Sequence, residues 1–171
     1  MHPYIIQSIG FLALIFVVFS FQKNSRNFTL LTLLTASLLF ASHFFLLEAY
    51  TGAALNLIAA GRAALFYFKE KHPALNRPIF MWLFVGIFSA SGFYTYSHPV
   101  DILPVIAMNI ECFALWNTNT KFIRYIFFTA RPFWMTYNIY VLSWAGITAE
   151  VFLIVSLSSA IWRFDWKKDE S

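Results

Sequence analysis

Eight side chains able to do polar chemistry stand inside otherwise apolar runs of this 171-residue chain: His43, Asn56, Arg62, Asn109, Glu111, Arg131, Asn138 and Glu150. Two are set in especially apolar company, Glu111 in "AMNIECFAL" and Arg131 in "FFTARPFWM". A carboxylate accepts strongly, an amide both donates and accepts, and a guanidinium presents a fork of donors. Together they suit a hydroxyl-rich or cationic ligand, or one another as ion pairs. His43 would add a titrating group. The catalytic alternatives find little support, because no phosphate-binding loop, dinucleotide fingerprint, zinc-ligand run or nucleophile motif occurs. Non-enzymatic chemistry, with no cofactor or metal, is the expectation.

The elements carrying these residues are set by composition. The chain is 60% apolar and 20% aromatic with only 12% charged residues, against about 25% charged in soluble domains. Apolar runs cover 4–21, 28–47, 51–68, 79–96, 101–116, 122–140 and 143–162. Each approaches what a helix rising 1.5 Å per residue needs to cross a hydrocarbon core of about 30 Å. The sequence therefore predicts an all-α membrane protein of seven transmembrane helices. "FSFQKNSR" offers no small-residue cleavage site, so the first run reads as a retained span rather than a signal peptide.

Charge location sets the orientation. Lys23 and Arg26 follow the first run, Lys69, Lys71 and Arg77 the third, Lys121 and Arg124 the fifth, and Arg163, Lys167 and Lys168 the seventh. Alternate connections are basic and the rest carry no Lys or Arg, which predicts the N-terminus outside and the C-terminus inside. Topology thus accounts for the net charge of +4, leaving no reason to invoke nucleic acid. The expected partners are the lipid bilayer of a bacterial inner membrane and a small polar solute, with a homo-oligomer left open.

Laying 10–68 over 104–162 brings the polar turns, the aromatic-then-Gly turns and the run boundaries into register, although identities such as Gly52/Gly146 are few. The chain then reads as two parallel three-helix repeats, 1–70 and 98–171, joined by a linking helix within 71–97. Parallel repeats related by an axis along the membrane normal are one transporter architecture. In this register Asn56 and Glu150 are equivalent, and the axis would set them facing each other.

"SHFFLLEAYTGAALNLIAAGR" (42–62), "SHPVDILPVIAMN" (97–109) and "WAGITAEVFLI" (144–154) resemble the YgjV family of bacterial inner-membrane proteins over nearly the whole chain. That family in turn resembles in architecture the 3+1+3 SWEET and PQ-loop transporters. The resemblance implies a polar pair contacting solute at Asn56 and Glu150, and hinge prolines at Pro104 and Pro132. The counterparts of those prolines here are Gly10 and Leu38. It also implies small or hydroxyl residues at 111 and 131, where this sequence has Glu111 and Arg131.

Counting 1.5 Å per residue sorts the polar residues by depth. His43, Asn56, Asn138 and Glu150 form an outer layer, the candidate solute site; Arg62, Asn109, Glu111 and Arg131 lie nearer the midplane. Glu111 and Arg131 differ by roughly 6 Å across the fifth-to-sixth hairpin, which predicts an ion pair with Arg62 competing for Glu111. Such a trio is either a structural pair or an inner gate. For Asn56 and Glu150 the bland alternative is interhelical hydrogen bonding worth under about 2 kcal/mol. The sequence thus supports transport of a small polar solute, sugar-like or another metabolite, by alternating access. The competing class is a membrane receptor or helper protein that recognises a peptide or lipid end without moving it.

Overall fold

The computed structural model describes residues 3–69 and 71–166; the readings made for Met1, His2, Lys167 and Lys168 lie outside the described residues. Seven α-helices make up the fold, with no strand among the described residues: α1 (Pro3–Phe19), α2 (Arg26–Leu46), α3 (Tyr50–Phe68), α4 (Ile79–Tyr94), α5 (Ile102–Trp116), α6 (Thr120–Tyr140) and α7 (Trp144–Ile161). A 3-10 turn, Pro99–Asp101, leads into α5, and a π-turn, Trp162–Trp166, prolongs α7. Counting these extensions, α2, Pro99–Trp116 and Trp144–Trp166 are long and apolar enough to cross a bilayer, while Tyr4–Phe19 and Ile79–Tyr94 are apolar but shorter. The helices α3 and α6 carry buried charges along their length: Arg62 on one, Arg124 and Arg131 on the other.

Local chemistry fixes the helix ends. Ser25, Asn119 and Ser143 accept hydrogen bonds from first-turn amides of α2, α6 and α7, satisfying donors that no helical carbonyl can reach. Just past α2 and α6, Glu48 and Leu142 adopt φ of 61° and 53°. This left-handed conformation turns the chain sharply and is uncommon for non-glycine residues.

Packing closes a ring. α1 contacts α2, α2 contacts α3, α3 contacts α5, α5 contacts α6, α6 contacts α7, and α7 returns to α1; α4 lies outside, against α3 and α5. The ring holds small and aromatic side chains inside, among them Ala13, Phe44, Ala59, Ala107, Phe127 and Ala149. Leu12, Phe45, Leu57, Trp82, Phe93, Phe128 and Val155 point outward and are exposed. Helices apolar all round need an apolar surround as well as an apolar core. Gly10 lets α1 come close to its neighbours, since a Cβ there would lie 2.5 Å from the Ala145 Cβ and 2.9 Å from the His43 ring.

Polar contacts distinguish the two ends of the ring. At one end Arg26 donates to the carbonyls of Phe66, Leu115 and Asn117, Lys69 to that of Trp116 at 2.6 Å, and Arg163 to that of Gln22 at 3.1 Å. Arg124 pairs with Asp165 of the π-turn and reaches Asn24. Arg26 and Lys69 thereby cap carbonyls at the C-terminal ends of α3 and α5, where the helix dipole favours positive charge. The other end holds Glu48, His98 and Asp101, whose Oδ2 accepts from the amides of Ser97 and His98 at 2.9 Å.

Candidate functional site

Four buried charges from four helices meet inside the ring. Arg62 on α3, Glu111 on α5, Arg131 on α6 and Glu150 on α7 are 3%, 4%, 4% and 7% exposed. Arg131 is the centre. Its Nη1 donates to both Glu150 oxygens at 3.1 and 3.2 Å, its Nη2 to Glu111 Oε1, and its Nε to its own helix at Phe127 O, 2.7 Å away. Glu111 Oε2 then lies 3.9 Å from Nη2 of Arg62, whose Nη1 donates to Met108 O at 3.1 Å. The order is Arg62, Glu111, Arg131, Glu150, two cations alternating with two anions. Alternation is what burial demands, since an isolated charge in a low-dielectric interior carries a large desolvation cost.

These four line one cavity with Asn56, Asn138, Phe44 and Trp134. Its volume is about 60 Å3. That is room for a few waters, well below the several hundred Å3 of a typical ligand pocket. The walls differ. Charges come from α3, α5, α6 and α7, while α1 and α2 contribute Val17, Leu33, Ser37, Phe40 and Phe44. Phe44 and Trp134 stack with centroids 6.2 Å apart, and Tyr137 packs edge-on against both. The Tyr137 hydroxyl accepts from Gly52 N at 2.9 Å, tying α6 to the start of α3. Beyond Tyr137, on the side of Glu48, His98 and Asp101, lies a wider cleft of about 360 Å3.

The residues expected to form an outer solute layer have separate fates. Asn56 and Glu150 line the common cavity, but Asn56 Nδ2 donates to Gly52 O at 2.9 Å and Glu150 is held by Arg131. The two expected layers are therefore joined through Arg131, whose long side chain spans the depth between them. Asn138 also lines the cavity; it is 2% exposed, and its Oδ1 has no hydrogen-bond partner. His43 is fully buried among other groups. Its Nδ1 meets Ile6 O at 2.9 Å and its Nε2 meets Ser143 Oγ at 2.8 Å, linking α1 and α2 to the cap of α7. Asn109 turns the other way, donating to Ser89 of α4 at 3.2 Å.

The two prolines differ in position. Pro104 falls in the first turn of α5, where a missing N–H costs no helical hydrogen bond, and Pro132 sits mid-helix in α6. Arg26, Lys69 and Arg124, read from the sequence as topological charges, are buried in helix-end contacts. Charge counting by loop gives no signal for that; the place of Arg26 and Lys69 at a helix boundary was the only hint, and Arg124 stands a full turn inside α6. Among the described residues, no group of three His, Cys, Asp or Glu side chains is assembled to hold a metal ion.

No curated protein and no solved structure matches this sequence. A family model described as a bacterial inner membrane protein, Imp-YgjV, matches residues 4–168. With an apolar exterior around seven helices and a match over nearly its full length, the chain belongs to the Imp-YgjV family of multi-pass bacterial inner membrane proteins.

Proposed function

We propose that this protein is a transporter of a small polar solute, working by alternating access, with the charged cavity as its closed central site. One observation carries the reading: two buried cations and two buried anions line a small cavity at the centre of a closed ring of helices. Ionisable groups within a membrane are costly and mark solute or ion paths by default. The rings of Phe44 and Trp134 on the wall of this cavity of about 60 Å3 pack against Tyr137 on the wall of the wider cleft, and the reading takes this cluster as a closed outer gate. In this reading Asn56, Glu150 and Asn138 contact solute, Arg62, Glu111 and Arg131 exchange partners as a gate, and Pro132 lets α6 bend. His43 holds the α7 cap, and Pro104 starts α5.

The architecture proposed is two parallel three-helix repeats, α1–α3 and α5–α7, with α4 as the link and the N-terminus outside. Exchanging the two sets of three maps the ring of helix neighbours onto itself. Several features separated by the same 94 residues support this: the left-handed Glu48 and Leu142; the bonds Lys69 to Trp116 O and Arg163 to Gln22 O; and the cavity pairs Asn56/Glu150, Ser37/Arg131, Phe40/Trp134 and Phe44/Asn138. His43 and Tyr137 are also equivalent. Each engages the first turn of the other half's third helix, Tyr137 directly at Gly52 N and His43 through Ser143, which accepts from Gly146 N.

The test is counterflow of labelled sugars, amino acids and small carboxylates into proteoliposomes holding the parent chain, Glu150→Gln or Asn56→Ala. Loss of a charged hydrogen bond of about 1.5–3 kcal/mol would lower uptake about tenfold or more in Glu150→Gln, with a smaller loss in Asn56→Ala. No flux from the parent, together with a peptide or lipid that co-purifies in stable complex, would instead make the protein a receptor.

A further inference from the structure

The four charges on the cavity wall answer one another, two cations against two anions. A charged solute would add a charge with no counterpart to a low-dielectric interior, and only a neutral one avoids that cost. What the wall leaves open is polar and uncharged at Asn138, which is 2% exposed yet makes no side-chain hydrogen bond among the described residues. Its Oδ1 is closed off, as are Arg62 Nε and Asn109 Oδ1; among the described residues these are the unpartnered side-chain atoms that no water can reach. The other unpartnered polar atoms on the cavity wall are therefore open to it: Asn138 Nδ2, Asn56 Oδ1, Glu111 Oε2 and Ser37 Oγ. Asn56 already uses its Nδ2 on Gly52 O at 2.9 Å, and Glu111 uses its Oε1 on Arg131.

Of the four open atoms, Asn56 Oδ1 and Glu111 Oε2 only accept, Asn138 Nδ2 only donates, and the Ser37 hydroxyl does either. A complementary solute is neutral and carries more donors than acceptors. An alkylamine is rich in donors but cationic at neutral pH, and a polyol is neutral but has an oxygen acceptor for every donor. A primary carboxamide or a urea meets both conditions. Size agrees: about 60 Å3 accommodates roughly four to six waters, comparable to the heavy atoms of urea or acetamide and too few for a hexose. We propose that the cavity takes a small neutral amide of the urea or acetamide class, its carbonyl on Asn138 Nδ2 and its N–H groups on the accepting atoms of the wall, Asn56 Oδ1 first. This rests on reading the cavity as a solute site and narrows the solute to its chemical class.

The experiment compares three ligands of one shape and different charge: acetate, acetamide and acetamidinium, with ethylene glycol as a neutral diol. Each is titrated into the purified, detergent-solubilised chain and read by saturation-transfer NMR, because so few heavy atoms limit affinity. Acetamide binds, and the two ions and the diol bind about tenfold more weakly or worse. No binding by acetamide, or equal binding by either ion or by ethylene glycol, overturns the assignment. Asn138→Asp exchanges the donor for an anion, which weakens acetamide about tenfold and turns the preference toward acetamidinium. An unchanged order of ligands in that variant also overturns it. If Asn138→Asp does not fold, the ligand series on the parent chain decides alone. Counterflow of labelled urea and glucose in proteoliposomes separates this proposal from the transport reading. Amide binding with no flux of either solute keeps the amide site and removes transport; glucose flux without amide binding removes the amide site and keeps transport.

Discussion

Removing Arg131 would strand two carboxylates at once, because Glu111 and Glu150 share its guanidinium. Arg131→Leu is expected to cost about 3–5 kcal/mol, the usual effect of breaking a buried pair from one side. The compensating partner follows from the order of charges. Arg131→Leu with Glu150→Leu leaves Arg62 beside Glu111, an intact neutral pair, and should recover most of the stability. Arg131→Leu with Glu111→Leu leaves Arg62 and Glu150 with no opposite charge between them and should recover less. Thermal unfolding in detergent measures the series, and equal recovery in both double variants would contradict the alternating arrangement. The nearness of Glu111 and Arg131 was legible in the sequence, because a short turn joins their helices and fixes their relative depth. The bond to Glu150 was not. It depends on the rotation of α7 about its axis and on Arg131 reaching across a depth difference that residue counting had treated as a boundary between layers. The fate of His43 was equally hidden, because its acceptor Ile6 O and its partner Ser143 belong to distant parts of the chain.

At the scale of elements, the seven helices fall within two residues of the boundaries drawn from the apolar runs, since polar turns such as "NTNT" interrupt those runs sharply. What a run cannot reveal is the use of its interior breakers. Gly10 was read as the counterpart of a hinge proline; the structure has α1 pressed against Ala145 and His43 at that point, a contact that any Cβ would obstruct. Pro132 leaves the carbonyl of Phe128 without its helical donor on the exposed side of α6. Pro132→Ala restores that donor and is expected to stabilise the fold by about 1 kcal/mol. If α6 bends during transport, the same substitution slows counterflow while the unfolding temperature rises. A faster rate, or a loss of stability, would remove Pro132 from the cycle.

For the whole molecule, the distribution of charge is the feature that links sequence to membrane. All described Lys and Arg residues except Arg62 and Arg131 lie toward one end of the ring, and Glu48 and Asp101 lie at the other. The sign at each end was readable from the loops. That Arg26 and Lys69 turn inward to cap helix ends, and Arg124 to pair with Asp165, was not, because the same residues serve orientation and internal contacts without any change of type. Their burial gives the basic end a set of buried bonds in addition to the positive charge on which the proposed orientation rests. Orientation can be measured cleanly because Cys112, the sole cysteine, is buried. A membrane-impermeant maleimide added to intact spheroplasts should leave the parent chain unlabelled. It should label Glu48→Cys, whose position is exposed at the acidic end, and should label Lys71→Cys, exposed at the basic end, only after the membrane is permeabilised. Labelling of Lys71→Cys in intact cells with protection of Glu48→Cys would invert the proposed orientation. Labelling of both would mean that the basic end does not commit the chain to one side, and the parallel-repeat reading would then lose its topological basis.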